Sequence, residues 1–567
     1  MRACRAAILG AAMWAAAAGG CRVNRPPIDH AREQVLYDAQ ISDPRTFNPI
    51  LVTDSTSGGM IGDIFQGLIR TDPLTTLPEP GLAESWEISA DRRRITFHLR
   101  RGVNWFDGKP VTARDFLFTL KVIYDPRVPT SIRSVLMVQG KPIEAAAPDD
   151  YTLVITSPRP FAPLLTAAGG IPIIPEHILA APYAEGKFNQ TWGINTAPDR
   201  IVGNGPFRMT RYVPSQMAHY ERNADFWMRD EHGGRLPRLR GQTVMIVPDM
   251  NTMYLRFLSG QTDVLSSPRP EEVIDLKDQA RKLGITVKEV GIDTGSLFFC
   301  FNRNPRHYVN KGVTSPKLNW FTDLKFLRAM AHSIDKEGII NLCYHGFAVP
   351  AVAEISPANR LYHNPNLKDY DYDLAEAERL LEAGGYHLVS PGVRVDSRGN
   401  RLEFNLTTNT GVPQRDQMCA IFKQDLEKLG IKVNYRPVDF GTLVDRLDSN
   451  FDWDCVLIGF TGTIEPNDGS NFYRSSGNLH LWNPNQPRPA TEWEARIDEL
   501  LDEGAAEMDP HKRAPYYWEI QKILHDQLAV IETVRQIRYA AWKDRLENYQ
   551  PTVWGLYKPE WIQFRER

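Results

Sequence analysis

The sequence predicts an α/β chain made of more than one lobe, and three observations carry that expectation. It is 567 residues long, more than one hydrophobic core usually organises, so two or three domains are expected. Between Ile64 and Tyr124, strand, turn and helix signals follow one another. Further along, LEFNLTTN, the helix-patterned DQMCAIFKQDLEKLG and the strand-patterned IKVNYRPV form a strand-helix-strand unit.

In the first of these stretches, Ile95, Phe97 and Leu99 alternate with Thr96, His98 and Arg100, the period of a strand with one buried face, after a turn at Ala90-Asp91. Asp107-Gly108 is a tight-turn pair, since both residues tolerate positive φ. Thr112 stands where a helix should begin, with Asp115 three residues on as the acidic partner of a capping box. Val111 can staple onto Phe116, and Phe116, Leu117, Leu120 and Ile123 form one apolar face. Taken alone, this is the strand-helix corner of any α/β protein.

Composition narrows the class. A hydrophobic share of 42% with 24% charged residues is that of a globular protein, and a formal net charge of -3 makes no electrostatic case for nucleic acid or an anionic membrane surface. An aromatic share of 10% suits a ligand-lining cleft or, equally, a large core. At the N-terminus, Arg2 and Arg5 precede an alanine-rich apolar run from Ala6 to Ala18, then Gly19, Gly20 and Cys21. This is the layout of a secretory signal peptide over residues 1–20, too short for a span of about 20 apolar residues. The small residues before Cys21 resemble a bacterial lipoprotein cleavage site that would leave Cys21 lipidated; Ala18 stands where that pattern prefers Leu, so cleavage without lipid is the alternative. Cys300, Cys343, Cys419 and Cys455 allow three complete pairings and the sequence does not choose among them; buried free thiols are the other reading.

The ordered motifs PGLAESWEIS, ITFHLRRGVNWFDG and PVTARDF resemble the signature segment of the family 5 extracellular solute-binding proteins, the peptide and nickel receptors of ABC importers. SDPRTFNPI, Ser42 to Ile50, looks like the extended segment that precedes the family's first cleft contacts, here Thr53, Asp54 and Ser55. IVGNGPFRMTRYVPSQMAHYERNADFW and LRFLSGQTDV are similar to the turn-strand and helix-turn-strand segments that follow. FTDLKFLRAMAHSIDKEGII reads as two helices. YDYDLAEAERLLEAGGY reads as a helix capped by Asp373, lined by Leu374, Ala377, Leu380 and Leu381 and ended by Gly384-Gly385. The resemblance spans roughly residues 33 to 545.

What the resemblance implies is a two-lobed periplasmic-binding-protein fold with an additional domain inserted in the first lobe and a cleft between the lobes. Lobe I would comprise residues 34–65, 202–299 and 517–567, the additional domain 66–201, and lobe II 301–516. The implied function is capture of a peptide or peptide-like ligand by cleft closure and its delivery to an ABC permease, by a monomer that needs no cofactor, performs no reaction and works on the outer side of the cytoplasmic membrane. Two alternatives stay open: a periplasmic sensor or chaperone-like partner with this fold, and an exported oligosaccharide hydrolase using paired carboxylates.

Other chemistries fail on their spacing. Gly102 to Lys109 ends in Gly-Lys but is followed by Pro110, so no hydroxyl is available for magnesium. Asp369, Asp371 and Asp373 mimic the start of a calcium loop, yet Leu374 and Leu380 stand where Gly and a bidentate Glu are needed. No Cys/His set suggests zinc.

The chain departs from its relatives in one loop. Peptide receptors of the family carry Gly-Trp, then an Asp that pairs with the peptide α-ammonium, then an acidic residue before Pro. Here the segment is Gly459-Phe460-Thr461-Gly462-Thr463-Ile464-Glu465-Pro466. Phe460 takes the aromatic position and Thr463 the place of the Asp. A hydroxyl cannot neutralise a desolvated ammonium, so a free amino terminus fits only if Glu465 or Asp468 reaches in. The following stretch, with Asn467, Asn471, Tyr473, Arg474, His480 and Trp482, suits a blocked peptide, a cell-wall fragment or a sugar, or is a surface loop. The expected ligand-binding residues are therefore Thr53, Asp54, Ser55, Phe460, Thr463, Glu465, Asn467 and Asn471.

Overall fold

The structure is a computed structural model describing residues 33–310 and 313–565; the leader-like segment 1–20 and Cys21 lie outside the described residues. Four larger sheets organise it. In the first, Val35–Gln40 pairs in parallel with Gly241–Ile246, which continues antiparallel to Met217–Arg222 and Phe207–Val213. A second, antiparallel sheet sets Val534–Lys543 between Val264–Leu265 and Ile285–Ile292, with Ala348–Pro350 also paired to it. The third has five strands in the order Lys432–Tyr435, Glu403–Thr407, Cys455–Phe460, Ser296–Phe301 and Ile531–Glu532. The fourth is antiparallel, Ala83–Ile88, Arg94–Leu99, Thr152–Thr156 and Glu144–Asp149.

Local sequence signals account for many of these elements. Arg94–Leu99 buries Ile95, Phe97 and Leu99 and leaves the alternate residues more exposed. The helix Ala113–Tyr124 starts at Thr112, whose N–H donates to Asp115 Oδ2 at 2.9 Å. It buries Phe116, Leu120 and Ile123 as the pattern requires, and also Phe118 and Val122, because a second layer covers its other side. Asp373 accepts from the N–H groups of Ala375 and Glu376, and Ala377 and Leu381 are fully buried. Glu403–Thr407, the helix Pro413–Lys428 and Lys432–Tyr435 form a parallel βαβ unit. Gly203 and Gly205 are required by close approach: a Cβ at either would stand 2.2 Å from a backbone oxygen of Ile64 or Asp63.

Ser296–Phe301 explains the two-sided core of the five-stranded sheet. Its run Phe298, Phe299, Cys300, Phe301 is buried throughout, as a central strand covered on both faces must be. Phe299 and Phe301 join the apolar cluster around Phe326, Phe404 and Phe422, whereas Phe298 and Cys300 join the one around Trp453, Trp482 and Tyr517. One further cluster runs from Leu36 through Phe97 and Phe116 to Phe564, so the sheet of residues 83–156 shares a continuous core with the first sheet. Cys300, Cys343, Cys419 and Cys455 are all buried free thiols, and burial pushes their pKa values up.

Two short, adjacent crossings connect the second and third sheets. The chain leaves Ile285–Ile292, passes Asp293–Gly295 and enters Ser296–Phe301; it returns from Ile531–Glu532 through Thr533 into Val534–Lys543. The crossings bond to each other, Asp293 N to Gln536 O at 2.9 Å and Thr533 N to Leu297 O at 3.0 Å. Arg535 clamps them by donating to the carbonyls of Gly295, Ala353 and Glu354 at 2.6–2.8 Å. Ala348–Pro350 pairs alongside, with Val534 to Gln536, and such a narrow waist is where one lobe can turn against the other.

Candidate binding cleft

The strand Cys455–Phe460 emerges from the core at its last two residues, Gly459 and Phe460, which are half-buried above the waist. The loop beyond lies tightly on the crossing: a Cβ at Gly462 would meet Thr294 O at 2.0 Å, so only glycine lets the backbone pass. Asn359 fixes the loop from the side, its amide donating to the carbonyls of Thr463 and Ile464 at 3.3 and 2.9 Å. Glu465 then caps a short 3-10 turn, Pro466–Gly469, by accepting from Asn467 N at 3.0 Å.

Two connected spaces flank this loop. The smaller, about 210 Å³, is walled by Phe298, Phe460, Phe472 and Tyr473, by Glu354 and Asp468, and by Trp554. Trp554 comes from the hairpin Pro551–Leu556, which belongs to the opposite side of the waist. The larger, about 600 Å³, runs between Ser55, Ser267 and Arg269 on one side and Tyr344, Arg415 and Phe440 on the other. Thr294, Ser296, Phe460 and Thr461 border both, so they form one cleft. Arg538 links the larger space to a third chamber of about 360 Å³ lined by Asp38, Asp63, Gln242 and Tyr549. There burial pushes Asp38 up to about 7 and Asp63 to about 6, the latter against the hydrogen bond from Gln242.

The two ends of the cleft hold opposite kinds of ionisable group. Four arginines, Arg269, Arg415, Arg535 and Arg538, line the larger space against one acid, Asp293. Arg269 is spoken for by Glu272 at 2.6 Å and Arg535 by its carbonyls. Arg415 bonds only to Asn409 and Arg538 to Ser267 Oγ at 3.2 Å, and neither has a carboxylate partner among the described residues. Burial pulls the Arg415 guanidinium below its ordinary pKa. The smaller cavity has two acids and no basic residue. Burial raises Glu354 to about 8, with Glu532 adding to the shift and Arg535 opposing it. Asp468 is exposed at the cavity mouth, where water screens any upward push on its carboxyl.

The residues expected from the sequence occupy different places. Phe460, Thr463 and Asn471 line the small cavity, and Phe460 and Ser55 line the larger space. Thr463 donates its hydroxyl to Glu465 O at 3.0 Å. The Glu465 carboxylate is committed elsewhere: Arg513 binds both its oxygens, Nη1 to Oε2 at 2.7 Å, and also donates to Tyr517. Asn467 is buried and faces a separate small space beside Arg159, Arg474 and Asp502. Asp54 caps the helix Ser55–Ile61, accepting from Ser57 N at 2.8 Å, while Thr53 is exposed and borders none of these spaces. His480 and Trp482 are core residues rather than surface loop, both bonded at 3.1 Å to Glu494. Burial works against that carboxylate's charge, yet the His480 and Gln486 hydrogen bonds hold it down at about 2. Sequence reasoning passed over Glu354, Arg415, Arg538, Phe472 and Trp554; the Gly-Trp signal it relied on ends at Phe460, and nothing local to the others marks them.

The family described as bacterial extracellular solute-binding proteins, family 5 Middle, matches residues 78–480. A probable ABC transporter-binding protein of Deinococcus radiodurans is 28% identical over 531 residues, covering 90% of this chain and 88% of that protein. The dipeptide-binding protein of Escherichia coli is 25% identical over 527 residues, covering 89% and 90%. Among solved structures, the oligopeptide-binding protein AppA from Bacillus subtilis, in complex with a nonapeptide, superposes with a TM-score of 0.78 over 94% of this chain and 99% of its own at 21% identity, a likeness of fold.

Proposed function

This chain belongs to the bacterial extracellular solute-binding proteins of family 5, and on that premise we propose that it is the extracytoplasmic receptor of an ABC importer, capturing peptides or peptide-like oligomers in the cleft and delivering them to the permease. The observation that carries the peptide reading is the charge polarity of the cleft, acids at one end and two unneutralised arginines at the other. A chain molecule with an ammonium at one terminus and a carboxylate at the other matches both ends at once. Between them Thr294, Gly459 and Thr461 present polar groups of the kind that hold an extended peptide without regard to its side chains, while the Ser296 hydroxyl is taken by Glu532 at 2.6 Å. The names of the relatives in Escherichia coli and Bacillus subtilis point the same way.

Closure follows from geometry. Cargo touching both Arg538 and Arg415, or both Trp554 and Phe460, gains its full set of contacts only when the two sides are together, so binding favours that state. The receptor works as a monomer without cofactor and releases its cargo chemically unaltered. Residues 1–20 direct export and Cys21 is the point of lipid attachment; no helix among the described residues is long and apolar enough to cross a membrane. The lobes are 34–65 with 202–299 and 517–567, and 301–516, with 66–201 inserted. Mass spectrometry of small molecules extracted from the purified protein tests this reading. Intact peptides or peptide-like oligomers are expected; saccharides alone, or cleavage products accumulating with time, would overturn it.

A further inference from the structure

Away from the waist and the cleft, the two sides of the molecule meet again. Residues 66–201 share a continuous apolar core with the first sheet, from Phe97 and Phe116 to Leu36 and Phe564, so they move with that sheet. Among the described residues of 301–516, only Ala505 belongs to the same core. It stands near the end of the helix Glu492–Ala506, whose Ile497, Leu500 and Leu501 pack instead around Trp482 and Tyr517. The N–H of Ala162 donates to Ala505 O at 2.7 Å, the only backbone hydrogen bond between 66–201 and 301–516 among the described residues. The last carbonyls of a helix have no partner inside it and are usually closed by the residues that follow; here the opposite body supplies the donor. Phe161, itself buried, borders one narrow space with Ala505 and Ala506.

The seat for this contact is built rigidly. Arg513 donates through Nε to Gly504 O at 2.9 Å while its other nitrogens bind both oxygens of Glu465, so the helix end and the turn Pro466–Gly469 form one unit. The Arg474–Asp502 ion pair ties them a second time. The short helix Ser470–Tyr473 also packs against Ile132–Val135 of the inserted segment. Along 466–474 the residues divide between two faces: Asp468, Asn471 and Phe472 line the smaller cavity, whereas Asn467, Ser470 and Arg474 border the space beside Phe161. Turning about the waist separates the two bodies, so opening must strip Phe161 and Ala505 of their contact and leave two backbone groups to water. None of these groups belongs to a cargo. We propose that the inserted domain is a latch, Phe161 and Ala162 closing on the end of the helix Glu492–Ala506, which favours the shut cleft before cargo arrives. The turn shared by latch and cavity couples the two, so each strengthens the other.

The latch depends only on the two-lobed fold and stands whatever the cargo is, so its test contains none. Small-angle scattering and amide exchange of the full chain, dialysed free of small molecules, are compared for the native protein, Phe161→Ala, Ala505→Glu and the conservative Ala505→Ser. The Ala162 amide should exchange at least about tenfold more slowly in the native protein than in Phe161→Ala or Ala505→Glu, the scale of one hydrogen bond. Both variants should also show a larger radius of gyration, while Ala505→Ser keeps the native values. The two disruptive substitutions lie on opposite bodies, so a folding failure of one, seen by circular dichroism, leaves the other to decide. An unprotected Ala162 amide in the native protein overturns the latch. So does a radius of gyration that stays constant once the amide is freed, because the contact would then hold nothing. Either result leaves the receptor reading standing, which mass spectrometry of extracted cargo tests separately.

Discussion

The two ends of the cleft meet at Phe460, Thr294, Ser296 and Thr461 and solve opposite problems. The larger space keeps two of its four arginines, Arg415 and Arg538, half-satisfied, each tied to a neutral oxygen, so that charge is presented without being neutralised. In the smaller cavity one oxygen of Glu354 has no donor, the Tyr473 hydroxyl supporting the carboxyl, and Asp468 is left to water. The difference teaches that charge is held ready by withholding partners. Where the protein instead supplies a complete partner, as Arg513 does for Glu465, the acid becomes part of the scaffold.

That contrast is tested first where the effect is largest. Glu465→Gln should leave the buried Arg513 without its carboxylate and lower unfolding stability by about 3–5 kcal/mol, measured by chemical denaturation; the preference for a free amino terminus should survive in the folded fraction. A loss of less than about 1 kcal/mol would remove the distinction between scaffold acid and ligand acid. At the other end, Arg415→Gln should weaken tetra-alanine about tenfold or more relative to its carboxyl amide, with little change in stability. If acid and amide weaken equally, Arg415 does not meet the cargo carboxylate.

Acidity sharpens the comparison further. Burial raises the Glu354 carboxyl in the free protein, and a bound cation draws it back down, so affinity for cationic probes should climb as pH rises and level off above about 8. Calorimetry in buffers of differing ionisation enthalpy should show proton release on binding near pH 7; none would mean that this carboxyl is already charged. Folding has the opposite slope. An acid raised on folding binds protons more strongly in the native state, so its burial costs stability progressively from the ordinary carboxylate range up to about 8. Glu354→Gln should therefore raise stability at pH 8 by about 1 kcal/mol, with little gain at pH 4. Thr463→Asp should have the smallest effect: a severalfold gain for free amino termini, limited because a third acid then crowds Asp468. Unchanged calorimetric affinity would place Thr463 beyond reach of the ammonium.

How much of this was legible depends on how far apart the partners lie in sequence. Thr112 and Asp115 are three residues apart, so helix geometry alone joins them, and the box could be read directly. The alternation of Ile95, Phe97 and Leu99 and the cap at Asp373 are equally local. Asp54 shows the limit: an Asp before a Ser-rich turn suits a cap and a ligand contact alike, and the structure shows the cap. Glu465 looked available because Arg513 is 48 positions away. Glu354 and Trp554 meet Phe460 only through the fold, so no spacing rule points to them.

Trp554 gives the cavity an unusual history during folding. One wall is supplied by residues 551–556, near the far end of the chain, whereas the facing strands are made of residues 296–301 and 455–460. Contacts this distant in sequence are slow to form. A partly folded chain can thus pair residues 296–301 with 455–460 and still lack this wall, which defers a complete grip on cargo until residues 551–556 are in place.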